Sequence, residues 1–305
     1  MNEISNHSKL SIILSYITIL RPINGIVAGF AAVFGIVLSG PQELDYFTLL
    51  LVIISATLVS SHAMIFNDIA DREEDKINAP HRPLPSKKIS VNTAKIYGII
   101  IGALGLLCAL FIDILNKLPG ISLITAIIFG GTLLLYDFKL KKLGFLGNVV
   151  IGLNVVAVFA YGTLHTYLIW GGSYPWLPLF LGLGAGMGNL GREVIKGLPD
   201  IEGDRKAGNN TLAVKYGPKV TAIIGSLFLW GLCTFGIITI IWGNLYLISQ
   251  IFGIVIVLIG VFLAIRILFD QSPKWAYTTK EILLLIFLAY LLVFIIDATI
   301  KIIIS

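Results

Sequence analysis

Charge is scarce in this chain of 305 residues: Asp, Glu, Lys and Arg make up 13% of it, against 57% hydrophobic residues. A soluble domain carries roughly twice that charged fraction, so a soluble globular fold is excluded. Cysteine is scarcer still. Cys108 and Cys233 both lie inside apolar runs, which leaves neither a disulfide framework nor a thiolate metal pair. His81, which follows the first acidic stretch, sits in a His-Arg-Pro turn, so a zinc site lacks ligands. Alternating ten-residue segments, which a membrane β-barrel needs, are absent. The short polar stretch Met1–Lys9 does not read as a secretory signal, and nothing in the pattern reads as a nucleic-acid partner.

What the chain does have is apolar runs of about twenty residues, the length that crosses roughly 30 Å of hydrocarbon as helix. The reading is an all-α polytopic membrane protein with nine spans, at about 12–38, 46–66, 92–112, 119–136, 146–168, 176–192, 219–242, 245–268 and 281–303. Most connections are short. The exceptions, about 67–91 and 193–218, are long enough to be functional. Lys and Arg gather after the even-numbered spans, between Arg72 and Lys88, Lys139 and Lys142, Arg192 and Lys219, and at Lys274 and Lys280. The loops after the odd-numbered spans offer only Lys117. By the positive-inside rule the basic loops and the N-terminus are cytoplasmic, and the C-terminus is outside the cell membrane.

The little acid present is gathered. Asn67-Asp68-Ile69-Ala70-Asp71-Arg72-Glu73-Glu74-Asp75 and Asp200-Ile201-Glu202-Gly203-Asp204 hold eight of the seventeen carboxylates, each at the end of an even-numbered span. Mutual repulsion and partial desolvation oppose such gathering, so a cation is expected to offset the cost. Asn67, Asp71 and Asp75 are spaced i, i+4, i+8 and stack on one face of a continued helix; Asp200 and Asp204 are also i, i+4. Pro199 should kink or interrupt a stripe extended back to Lys196 and Arg192. Neither stretch has an EF-hand loop, and oxygen ligands at this spacing suit Mg²⁺ bridging substrate phosphates. With Arg72, Arg82, Lys139 and Lys196 to neutralise the remaining charge, the two motifs read as a diphosphate site. At the boundary of an apolar bundle that ligand is a polyprenyl diphosphate, its tail among the spans. Arg72 follows Asp68 by four residues and is equally placed to pair with it across one helical turn.

The Asn-Asp-x-x-Asp-x-x-x-Asp of residues 67–75 and the Asp-x-x-x-Asp of 200–204, on a nine-span chain, resemble the UbiA superfamily of intramembrane prenyltransferases. Arg82-Pro-Leu-Pro-Ser86, Leu20-Arg21-Pro22, and Tyr136 followed by Lys139 and Lys141 are similar to further family features. The resemblance covers the whole chain and implies nine helices around a central cavity, with cytoplasmic cap loops and an opening to membrane lipid. Arg192-Glu193-Val194-Ile195-Lys196-Gly197 before the second motif, and Arg21 with Asn24, resemble the archaeal digeranylgeranylglyceryl phosphate synthases. Leu198-Pro199 departs from the usual small-to-acidic pair of that group. The implied reaction moves a geranylgeranyl group from its diphosphate to the hydroxyl of geranylgeranylglyceryl phosphate, a lipid acceptor, with Mg²⁺ assisting. Asp71, Asp75, Asp200 and Asp204 would be catalytic and, with Asn67, hold metal. Arg21, Asn24 and Arg192 would meet the acceptor, with Asp68 and Tyr136 supporting.

An aromatic acceptor, as in quinone synthesis, is the alternative; a cation-coupled transporter would want ionisable groups at mid-span, where the runs are nearly clean. The chain reads as a single domain made of two weakly repeated halves, about 12–136 and 146–268, plus the ninth span 281–303. Asn154 and Asn189 read as packing residues, Gly182, Gly184, Gly186 and Gly188 as a small-residue stripe, and Tyr161, His165 and Trp170 as interfacial anchors.

Overall fold

The computed structural model describes residues 9–40, 45–172, 176–206, 208, 210–243 and 246–304, and among them every regular element is helical. The first half contains α1 (Lys9–Ile19), α2 (Pro22–Leu38), α3 (Tyr46–Ala70), α4 (Arg72–Asn78), α5 (Val91–Leu115) and α6 (Ile121–Phe138). The second contains a 3₁₀ turn at Leu140–Leu143, then α7 (Phe145–Ile169), α8 (Trp176–Lys196), α9 (Ile201–Lys206), α10 (Leu212–Trp242), α11 (Leu247–Phe269) and α12 (Pro273–Ile304). Seven helical stretches, α1 and α2 counted as one, are long and apolar enough to cross a membrane. The nine expected spans thus meet seven among the described residues; α12 and α8, which ends on Arg192, Glu193 and Lys196, are not in that set. Large apolar side chains such as Ile96, Leu227, Leu258 and Phe269 are exposed, as expected where lipid rather than water is the solvent.

The chain forms two compact units, residues 1–30 with 45–138 and residues 31–44 with 139–305. In the first unit, α3 packs on α5 and α6. Its turns have local causes. Pro22 lacks an N–H and disfavours helix in the residue before it, so α1 stops, Arg21 takes a left-handed φ of 45°, and Pro22 begins α2. Asp45 caps α3 by accepting from the N–H groups of Phe47 and Thr48. The buried Asp113 of α5 accepts from the N–H groups of Ser122 and Leu123, both at 2.9 Å, and so caps α6 across the turn.

In the second unit α8 packs between α7 and α10. Gly182 and Gly186 face α7 while Gly184 and Gly188 face α10, so the expected small-residue stripe serves two contacts. A Cβ on Gly186 would fall 2.7 Å from the Gly152 carbonyl oxygen, so only glycine allows this approach. Tyr161, His165 and Trp170 differ from expectation. All three are buried, and His165 Nδ1 lies 2.7 Å from the Tyr161 carbonyl oxygen. Belt statistics describe depth in the membrane and say nothing of helix face; these residues lie on packed faces.

Candidate active site

The first acidic motif joins α3 to α4 almost without a break. The Asp71 N–H bonds to the Asn67 carbonyl at 2.9 Å and the Asp75 N–H to the Asp71 carbonyl at 2.8 Å, so helical bonding runs through the joint. The i, i+4, i+8 stacking of Asn67, Asp71 and Asp75 therefore holds along the backbone. Their side chains meet different partners. Asn67 Nδ2 donates to Asp137 Oδ1 at 2.8 Å, which orients the amide and leaves its oxygen as the acceptor. Asp71 is half-buried. Asp75 is buried, and Arg82 Nη1 donates to both of its oxygens, at 2.7 and 2.6 Å.

Asp68, the most buried acid of the motif, pairs with Arg21 and lies 3.7 Å from Arg82 Nη1. Two carboxylates and two guanidiniums thus form one neutral network, which is how charges withdrawn from water are made tolerable. Arg72 is bound by its neighbour Glu73 at 3.3 Å rather than by Asp68, which corrects the helical-turn pairing. Arg72 is half-exposed while Asp68 faces inward, so the two leave the helix on different sides. Lys76 donates to Glu73 at 2.6 Å and thereby holds the Glu73 carboxyl below its usual range. Asn24 is exposed, its amide 3.4 Å from the Met64 sulfur.

Arg82 reaches this network because its loop is pinned. Leu84 and Ile89 are buried with Ile19, Ile65 and Ile69 in one apolar cluster. Backbone bonds from Ser86 to Arg82 at 3.0 Å and from Lys88 to Pro83 at 3.0 Å fold the segment between them. The loop is thus an extension of the unit's core.

The second motif is built in the other unit. Ile195 and Leu198 are buried among Ala222, Leu229, Leu263 and Ile267, which fixes the end of α8. Helix α8 stops at Lys196, and α9 starts at Ile201, after Pro199. Asp200 is therefore an exposed turn residue just ahead of α9, and its carbonyl accepts from the Asp204 N–H at 2.8 Å. The neighbouring cations are held by an acid outside the motif. Glu193 accepts from Arg192 Nη1 at 3.0 Å and from Lys196 Nζ at 3.2 Å, while Arg192 Nε donates to the Lys280 carbonyl at 3.3 Å. Lys139 is exposed and Tyr136 half-buried at the end of α6.

Arg21 and Arg192, the cations expected at the acceptor, each have a carboxylate partner in the protein, Asp68 and Glu193. Sequence reasoning missed Asp137 and gave Glu193 no role. An acid within Tyr136-Asp137-Phe138-Lys139 and a Glu193–Lys196 i, i+3 spacing were the available signals. Among the described residues, no three or more His, Cys, Asp or Glu side chains gather closely enough to hold a metal. The donors present at the motifs are carboxylate and amide oxygens, which suit a hard cation that takes its remaining ligands from water and phosphate.

The sequence model of the UbiA prenyltransferase family matches residues 28–291. A digeranylgeranylglyceryl phosphate synthase of Sulfolobus acidocaldarius is 35% identical over 220 residues, 70% of this chain and 74% of the relative. One of Thermococcus kodakarensis is 36% identical over 214 residues, 70% of this chain and 73% of the relative. Among solved structures, one concerned with digeranylgeranylglyceryl phosphate synthase in membranes has a TM-score of 0.71 and 30% identity, covering 94% of this chain and 98% of the other. A UbiA homolog from Archaeoglobus fulgidus bound to GPP and Mg²⁺ is alike in fold, with a TM-score of 0.65 at 18% identity, covering 92% of this chain and 99% of that one.

Proposed function

The chain belongs to the UbiA prenyltransferase family, and from that membership we propose that this multi-pass membrane enzyme makes an archaeal ether lipid. It transfers a geranylgeranyl group from geranylgeranyl diphosphate to the free hydroxyl of geranylgeranylglyceryl phosphate. The observation that carries the choice of substrates is the similarity, at 35% identity over 70% of this chain, to a relative named for that product.

The allylic carbon–oxygen bond to diphosphate breaks, the acceptor oxygen forms the new ether bond, and its proton passes to the released diphosphate or to a motif carboxylate. Mg²⁺ held by Asn67, Asp71 and Asp75, and by Asp200 and Asp204, would supply positive charge where the departing diphosphate gains negative charge. Arg72, Arg82, Lys139 and Lys196 bind and orient that diphosphate, and their charge favours the charge-separated state over the ground state. Arg21, Asn24 and Arg192 receive the acceptor. Asp68 supports the site through Arg21 and Arg82, and Tyr136 supports it from the end of α6. In this reading both motifs and the N-terminus face the cytoplasm, the C-terminus lies outside, and the two halves act as one catalytic domain.

The test offers purified protein in nanodiscs radiolabelled geranylgeranyl diphosphate and Mg²⁺, with geranylgeranylglyceryl phosphate or 4-hydroxybenzoate in parallel. Ether product from the glyceryl phosphate alone is expected. Product from the aromatic acid alone would overturn the acceptor while leaving the donor half intact.

A further inference from the structure

We propose that Arg82 couples cation binding to diphosphate binding, because its guanidinium and a divalent cation compete for the same two oxygens of Asp75. The inference rests on the reading of Asp75 as a metal ligand and deepens it. By sequence Arg82 belongs to the phosphate side of the site, but the structure gives it a second attachment. One nitrogen, Nη1, bonds both Asp75 oxygens at 2.7 and 2.6 Å, and the carboxylate is buried at 6% exposure, so a cation cannot approach from an open solvent side.

Arginine does not shed its proton at any working pH, so the competition cannot be relieved by neutralisation. Nor can the guanidinium simply leave. Its other carboxylate neighbour, Asp68 at 3.7 Å, is already paired with Arg21, and the loop that bears it is anchored by buried Leu84 and Ile89. A cation at Asp75 would therefore face an undischarged positive charge at close range, in a network whose two acids and two guanidiniums already balance.

Diphosphate removes the conflict. Its oxygens accept a guanidinium as well as a carboxylate does, through the same charge-assisted geometry. Transfer of Arg82 from Asp75 to phosphate leaves its loop where buried Leu84 and Ile89 anchor it and moves the side chain. The carboxylate is then open to the cation, and the cation in turn meets a bound anion. Each ligand improves the site for the other, and linkage requires the factor to be equal in both directions. The enzyme so equipped does not collect metal at Asp75 without donor.

The test reads metal binding and not turnover. Mn²⁺ binding is followed by electron paramagnetic resonance on detergent-purified wild type, Arg82→Gln, Arg82→Lys and Asp75→Asn, counting the ion that Asp75→Asn removes in the presence of an unreactive thiolodiphosphate analogue of the donor. Without the analogue, Arg82→Gln is expected to bind that ion about tenfold more tightly than wild type, a typical coupling factor, with Arg82→Lys in between. With the analogue, the wild type gains affinity and Arg82→Gln gains less. Mn²⁺ affinity unchanged or weakened in both Arg82 variants without the analogue would overturn the competition; Arg82→Lys keeps the charge and serves if the glutamine variant misfolds. Wild-type Mn²⁺ binding that Asp75→Asn leaves intact would instead overturn Asp75 as a ligand, and the proposal with it.

Discussion

The two acidic motifs are built on opposite plans. In the first unit two motif acids are turned inward and tied to guanidiniums, with Asp68 and Asp75 buried against Arg21 and Arg82. In the second unit the motif acid Asp200 is exposed, and the nearby cations Arg192 and Lys196 are held by Glu193 instead. Similar strings of residues therefore carry different shares of stability. The first motif is part of its unit's structure, whereas the second sits beyond the end of a helix that is already fixed by Ile195 and Leu198.

Breaking the buried network should give the largest effect on stability. Asp68→Ala strands Arg21 and half of the Arg82 environment, and the loss of a buried partner costs about 3–5 kcal/mol. Denaturant unfolding of the detergent-solubilised protein measures it, with Glu193→Gln as the comparison. That second change leaves a neutral acceptor between partly exposed cations and should cost about 1 kcal/mol. Equal losses would erase the distinction between the units. Arg192→Ala comes next, and it sharpens the functional side. It should raise KM for the acceptor about tenfold, the worth of one charge-assisted hydrogen bond, with KM for the donor moved less. An equal rise for both substrates would assign Arg192 to the diphosphate. The smallest effect belongs to Arg72→Ala, because its ion pair with Glu73 is solvent-exposed. The unfolding midpoint should stay within error of wild type, so any loss of turnover reports on diphosphate binding.

The sequence made legible whatever depends on neighbours along one helix. Apolar runs gave the helices, the i, i+4, i+8 spacing of Asn67, Asp71 and Asp75 survived through the α3–α4 joint, and Pro199 ended a helix where expected. Pairings across the fold were not legible. Arg21 and Asp68 are 47 residues apart, Asn67 and Asp137 are 70 apart, and only the packing of whole helices decides that they meet. The local rule proposed Arg72 for Asp68 because four residues separate them, but it could not know that Asp68 turns inward. Tyr161, His165 and Trp170 were misread for the same reason: depth along a span is visible in a sequence, and the face turned to a neighbouring helix is not.

Helix α8 has a mechanical consequence. The rod is in contact with backbone on one side, at Gly152, and with Phe235 and Leu232 on the other, so rolling or sliding disturbs close packing. Asp200 and Asp204 lie beyond Lys196, where Gly197 and Pro199 interrupt the helical ladder, so they can shift without moving α8. The packing also sets what the helix tolerates: side chains can grow at the exposed Leu183, whereas an added methyl at Gly186 meets the Gly152 backbone, which cannot turn aside. The stripe that looked like a packing aid is a clamp, and the second motif lies just past the piece it holds.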